Sequence, residues 1–324
     1  MIPGPIYEVL PYAYMLVGAF AIISIDIIIA KVCGLILMIL GGVIYQARRR
    51  YRHRKTRLED LKGVKARAQK AFGGGNQDTV KSQQDFQKGE DCFERGDYPE
   101  AVKWYLKAAE EGNRSAQVNL GAMYAEGWGT PQNFREALFW YRAAAQQGDA
   151  VAFYNLGVMY VEGQGMPRDL QEALKCYRKA ADQGNVLAQF NLGMMYEQND
   201  DALSLQEAVA WYRKAAEQDY APAQVNLAVM YVEGQGVHRD LLEALKWYQK
   251  AAAQDYAPAQ FNLGVMYFEG QEGIPKDLAT AYVWFSRSAD QGDEDARIMR
   301  DKIASRLTTK QMAHAQQLLQ APVE

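Results

Sequence analysis

The chain has 324 residues, of which 49% are hydrophobic and 23% are charged, and its formal net charge is −3. The charge is unevenly placed: residues 1–47 carry −1 and residues 48–71 carry +9, so residues 72–324 carry −11. An acidic body repels a phosphate backbone, which argues against nucleic-acid binding. The three cysteines show no paired spacing, so neither a disulfide framework nor a zinc site is expected.

The first element is an apolar block from Tyr12 to Tyr45, in which Asp26 and Lys31 are the only charged residues. It predicts a transmembrane segment within residues 1–47. One straight helix of this length would span about 51 Å, which exceeds a hydrocarbon core of about 30 Å. We therefore favour a helical hairpin that turns at Asp26. The alternative is a single span formed by the later half, with the earlier half lying at the membrane interface.

A basic cluster follows the apolar block directly, at the start of a juxtamembrane and linker region that covers residues 48–81. Such clusters stay on the cytoplasmic side of a membrane. We therefore expect a membrane protein, in a bacterial inner membrane, whose repeat region is cytoplasmic. The cluster also favours contact with anionic lipid, although its role as a topology signal alone is the alternative. Its members are Arg48, Arg49, Arg50, Arg52, Arg54, Lys55 and Arg57.

The body of the chain is periodic, with a repeat of 35 or 36 residues. One phrase contains the leucines at positions 120, 156, 192, 227 and 263, as in "VNLGAMY" and "FNLGVMY". A second phrase, as in "AVKWYLKAA" and "ALKWYQKAA", carries tryptophan at one position in five of its six copies, and Cys176 takes that position in the other. Both phrases have the spacing of amphipathic helices, so each repeat predicts a pair of helices.

Glycines and capping residues predict how the helices meet and where they begin. A glycine follows four of the five repeat leucines, and Ala228 follows the other. This glycine predicts close approach of the two helices of a pair, because glycine inside a helix is otherwise unfavourable by about 1 kcal/mol. A capping box is expected at the start of each second helix. The predicted boxes are Asp97…Glu100, Asn133…Glu136, Asp169…Glu172, Ser204…Glu207 and Asp240…Glu243.

These phrases, the "EG-x-G" loop and the acidic cap resemble the Sel1-like repeat family, a relative of the tetratricopeptide repeat with a longer inter-helix loop. The resemblance covers about Ser82 to Gly292. It implies an all-α fold in which six helix pairs over residues 82–292, closed by capping helices over residues 293–324, form a right-handed α-solenoid. It also implies that the first helices of the pairs line a concave surface.

The resemblance implies a binding surface for a protein segment on that concave side. An asparagine precedes each repeat leucine, and its amide can both donate and accept hydrogen bonds to a peptide. The alternative is that each asparagine stabilises its neighbouring helix. Apolar residues beside the asparagines are expected to determine partner specificity. The predicted binding residues are Asn119, Asn155, Asn191, Asn226, Asn262, Tyr154, Phe190, Met194, Phe261 and Val265.

Catalysis is not expected, because the three histidines lie apart and no nucleophile, metal or phosphate-binding motif occurs. No cofactor, metal or small-molecule substrate is predicted. The sequence favours a membrane-anchored cytoplasmic adaptor that binds a partner protein in the groove of its solenoid. The alternative is a structural subunit of a membrane complex, in which the transmembrane hairpin makes the main partner contacts.

Overall fold

The structure is a computed structural model that describes residues 80–198, 201–270 and 273–320 of the 324-residue protein. All regular elements of these residues are helices, fourteen in number, which confirms the predicted all-α solenoid of helix pairs. The predicted transmembrane segment at residues 1–47 and the basic cluster lie outside the described residues. Within the described part, no helix is both long and apolar enough to cross a membrane.

The helices alternate between a first and a second helix of each pair; the first thirteen contact their neighbours in sequence, and the fourteenth packs on the twelfth. The first helices are α1 (Val80–Glu94), α3 (Arg114–Glu126), α5 (Ala150–Glu162), α7 (Val186–Glu197), α9 (Ala221–Glu233), α11 (Ala257–Glu269) and α13 (Glu294–Ala304). The second helices are α2 (Tyr98–Glu110), α4 (Phe134–Gln146), α6 (Leu170–Ala181), α8 (Ala202–Ala216), α10 (Leu241–Ala252), α12 (Leu278–Asp290) and α14 (Thr309–Gln320).

Glycine at one position of the first helix lets an aromatic ring of the second helix pack against its backbone. A Cβ on Gly193 would lie 2.5 Å from Cδ1 and Cε1 of Tyr212, which is fully buried. The same geometry places Gly121 against Tyr141 and Gly157 against Tyr177. The predicted close approach is therefore confirmed, and it explains why this position holds no large residue.

Buried glutamine amides join one pair to the next, a feature that the sequence interpretation missed. Gln224 is fully buried on α9, and its Nε2 donates to the Ala216 carbonyl at the end of α8, 3.0 Å away. Gln254, after α10, then donates from Nε2 to Oε1 of Gln224 at 2.9 Å. Because unsatisfied buried amides are unfavourable, this chain of bonds fixes the register between successive pairs.

Most predicted caps are confirmed, but the one at Ser204 is wrong. Asp97, Asn133, Asp169 and Asp240 each accept backbone N–H bonds at the start of a second helix. Helix α8 instead begins at Ala202, with Asp201 as its cap: the carboxylate accepts from the backbone N of Leu203 at 3.1 Å and of Ser204 at 3.0 Å. The preceding loop is shorter than in the other repeats, so α8 begins one turn earlier.

Two C-terminal helices pack on the last repeat. Thr308 and Gln311 form a capping box, in which the Gln311 N–H donates to Thr308 Oγ1 and the Thr308 N–H donates to Gln311 Oε1. Helix α13 buries Ile303 beside Phe285, and α14 buries Ala315 against α12. Both helices therefore cover α12, which would otherwise expose its apolar side at the end of the last repeat.

Candidate interaction surface

The helices α3, α5, α7, α9 and α11 together form one surface, called the first-helix face. Hydrogen bonds run across it from one first helix to the next: Nδ2 of Asn119 on α3 donates to Oε1 of Glu90 on α1 at 2.8 Å. The pKa of Tyr154 on α5 is raised by burial and then by Tyr220, which lies two pairs further along at the start of α9. Phe190 on α7 contacts Tyr220 with ring centroids 5.2 Å apart, so contacts also join the later first helices across this face.

The five predicted asparagines are all partly buried on this face. Asn119 bonds to Glu90, Asn191 bonds to the hydroxyls of Tyr154 and Tyr177, and Asn226 bonds to the hydroxyl of Tyr212. These bonds favour the alternative in which the asparagines stabilise the packing of neighbouring helices. Binding of a peptide backbone by Asn119, Asn155, Asn191, Asn226 and Asn262 stays a prediction.

The predicted apolar binding residues divide into two groups by exposure. Tyr154, Met194, Phe261 and Val265 are each partly exposed on the first-helix face. Phe190 is only 5% exposed, because its ring packs between Tyr212 and Tyr220 with centroid distances of 5.8 and 5.2 Å. Phe190 therefore acts as a core residue here and offers almost no surface to a partner.

Two residues that the sequence interpretation overlooked, Tyr220 and Tyr256, also lie on this face. Each occupies the position just before a first helix, where other pairs carry asparagine or aspartate. The phrase "DYAPAQ" occurs at residues 219–224 and again at 255–260. This departure from the common repeat was the signal that could have found them.

Three carboxylates stand near the other end of the first helices: Glu162, Glu197 and Glu233. Burial raises the pKa of each one. Glu126 adds to the rise in the pKa of Glu162, and Glu197 adds to the rise in the pKa of Glu233. Desolvation therefore destabilises the anionic form of each carboxylate. For Glu162 and Glu233, a like-charged neighbour destabilises it further.

Replacement of Glu197 by glutamine tests this electrostatic description. The raised pKa means that the folded wild-type protein is stabilised as the pH falls from the raised value toward that of an ordinary carboxyl. Glu197→Gln removes the charge but keeps an acceptor for the Tyr212 hydroxyl, which bonds to Glu197. We expect a higher free energy of unfolding than wild type near neutral pH, and a gain that shrinks as the pH is lowered.

Urea unfolding at a series of pH values measures this gain. Glu172→Gln is the matched control, because the Glu172 carboxylate lies on a second helix and pairs with Lys175 Nζ at 2.6 Å. It should show no such gain at neutral pH. If the free energy of unfolding depended on pH equally in Glu197→Gln and in wild type, the raised pKa of Glu197 would be contradicted.

The described residues show little that suggests chemistry. No group of three or more His, Cys, Asp or Glu side chains in this part of the chain is arranged to hold a metal ion. Burial raises the pKa of Cys176 to about 11, which keeps its thiol protonated and unreactive. This agrees with Cys176 as a packing residue at the position that tryptophan fills in other pairs.

Comparison with solved structures shows the same architecture elsewhere. A Sel1 repeat protein from Oxalobacter formigenes is 29% identical, with a TM-score of 0.62; the match covers 73% of this chain and 97% of that one. The protective antigen c5321 of uropathogenic Escherichia coli, which displays an SLR fold, is 25% identical over 97% of this chain and 76% of that one, with a TM-score of 0.46. A comparison with curated proteins gives no match.

The repeat phrases, the helix pairs and the glycine–aromatic contacts agree with the family comparison. The Sel1 repeat matches six consecutive segments, at residues 86–113, 114–149, 150–185, 186–220, 221–256 and 257–293. These segments are contiguous and cover more than half of the chain. The protein therefore belongs to the Sel1 repeat family.

Proposed function

We propose that this protein is a membrane-anchored cytoplasmic adaptor that binds a segment of a partner protein on its first-helix face. Sel1 repeat proteins generally mediate protein–protein interactions. The observation that supports this surface most is the row of partly exposed apolar side chains on successive first helices, including Tyr154, Met194 and Val265. An apolar surface with polar groups beside it suits an extended protein segment. In this proposal the protein is not an enzyme.

Site-specific photocrosslinking tests the surface. A photoreactive amino acid at Met194 or Val265 should crosslink the full-length protein to the same partner in cells. The matched control position is Leu242, which is 49% exposed but lies on the second helix α10. Crosslinks from Leu242 to that partner, with none from Met194 and Val265, would contradict the assignment of the binding face.

The anchor is proposed from the apolar block and the basic cluster of the sequence. Removal of residues 1–57 should move the protein from the membrane fraction to the soluble fraction while it still captures its partner. Loss of the partner on this removal would instead favour a structural subunit whose transmembrane segment makes the main contacts. Protease treatment of inside-out vesicles should degrade the repeat region, and protection there would contradict a cytoplasmic location.

A further inference from the structure

Two first helices begin in a way that differs from the others. The residue two positions before α3, α5 or α7 is a glycine with positive φ, whereas Asp219 and Asp255 take this position before α9 and α11. Their φ angles are +59° and +55°, and among the described residues they are the non-glycine residues with positive φ. A left-handed conformation is unfavourable for such residues by about 1–3 kcal/mol.

The next residue departs from the family pattern as well. Asn185 caps α7, with Oδ1 accepting from the backbone N of Ala188 at 2.9 Å, but Tyr220 and Tyr256 make no side-chain cap bond. Pro222, in the first turn of α9, has no N–H to be satisfied, and the Ala223 N–H bonds to the Tyr220 carbonyl at 3.0 Å. Pro222 and this backbone bond thus take the place of a side-chain cap, so the Tyr220 side chain is not needed to begin the helix.

These departures place tyrosines together on the first-helix face. Tyr220 contacts Phe190 edge to face, and Tyr220 contributes to the raised pKa of both Tyr154 and Tyr256, after burial. Tyr154 lies on α5, and Tyr220 and Tyr256 lie just before α9 and α11; these three residues are called the tyrosine row. Each ring is partly exposed, so the row offers aromatic surface to a ligand.

The carboxylate row of Glu162, Glu197 and Glu233 lies across the same face, at the opposite end of the first helices. No Lys or Arg of the described chain forms an ion pair with these three, whereas Glu172 and Glu243 on second helices each pair with a lysine. Glu162 is exposed, Glu197 and Glu233 are half-buried, and within the described residues their negative charges are left without a counter-charge. Residues 72–324 as a whole carry −11.

We propose that the first-helix face between the tyrosine row and the carboxylate row binds an extended segment rich in lysine and arginine from a partner protein. This rests on the proposed function and names the chemistry of the partner. Cationic side chains stack favourably on tyrosine rings, and they form charge-assisted hydrogen bonds with carboxylates. A Lys/Arg-rich segment thus matches both rows, whereas an acidic segment would add to the existing repulsion.

Fluorescence anisotropy with the full-length protein tests the charge of the ligand. The probes are two labelled peptides of equal length, one alternating lysine with valine and the other alternating glutamate with valine. The lysine peptide should bind, with an affinity that falls as salt is added, and the glutamate peptide should not. Equal binding of both peptides, or no binding of the lysine peptide, overturns the proposal.

Variants locate the binding on the two rows. Asp219→Gly with Tyr220→Asn restores the residues found before α7, so it should keep helicity and weaken lysine-peptide binding about tenfold or more. Glu162→Gln with Glu233→Gln should weaken binding to a similar degree. Glu172→Gln with Glu243→Gln changes the net charge equally on the second helices and should leave binding unchanged. Equal loss in both carboxylate pairs, or no loss in the tyrosine variant, contradicts the assignment.

The chain's own basic cluster is the competing occupant. Replacement of the seven Arg and Lys residues between positions 48 and 57 by glutamine should leave lysine-peptide binding unchanged if a partner supplies the segment. Several-fold tighter binding would show that the cluster itself occupies the face and would overturn the partner proposal. A crosslinked partner whose contact segment lacks basic residues would refute this inference while leaving the adaptor function intact.

Discussion

Gly236→Ala should lower the free energy of unfolding by about 3 kcal/mol. The new methyl group would strain the backbone at a positive φ, and it would also clash with neighbouring main-chain atoms. Gly236 lies in the loop between α9 and α10 with a φ of +64°, which favours glycine. A methyl group there would also meet the Leu205 carbonyl and lie 2.8 Å from the backbone N of Gln206, in the first turns of α8. Because these are main-chain atoms, no side-chain rotation relieves the contact.

Gly148→Ala is the matched control for this prediction. Gly148 also has a positive φ, of +82°, but nothing lies within 4 Å of the position that its Cβ would take. The control should therefore lose only the conformational part, about 1 kcal/mol. Urea unfolding followed by far-ultraviolet circular dichroism measures both variants. Equal destabilisation of the two would show that the loop does not pack against the preceding pair as described.

The sequence predicted the helix pairs, their order and their close approach because these depend on what the repeats share. A glycine that faces a tyrosine ring recurs at the same position, and the acidic caps recur with it. The exception at Asp201 shows the limit of such an argument. Ser204 lies in register with the other caps, but a shortened loop moved the start of α8 by one turn, and only the backbone geometry shows which side chain accepts the bonds.

The candidate surface was predicted less completely, because a binding surface depends on what differs between repeats. Tyr220 and Tyr256 stand at cap positions and were therefore overlooked as surface residues. The asparagines recur in five of the six repeats, and three of them are bonded to neighbouring side chains. The exposure of an aromatic residue beside them also depends on the start of the next first helix, where Tyr220 covers Phe190.

Phe190→Ala shows this dependence most directly, and we expect it to lower the free energy of unfolding by about 3–5 kcal/mol. Tyr212 of its own pair and Tyr220 of the next pair enclose the ring, which leaves it 5% exposed. Truncation would open a cavity between two pairs, since helix backbones on either side cannot close in freely. Phe261→Ala is the control: Phe261 contacts Phe285 at a centroid distance of 5.5 Å but is partly exposed, so a smaller loss is expected.

Urea unfolding of both variants distinguishes a core role from a binding role for Phe190. An equal, small loss in the two would place Phe190 on the surface and restore it as a candidate partner contact. The expected large loss has a consequence for binding studies, because reduced partner capture by Phe190→Ala would then reflect a disturbed α7–α9 region. The face is better tested at Met194, one turn further along α7, because this side chain is partly exposed although it also packs against the core.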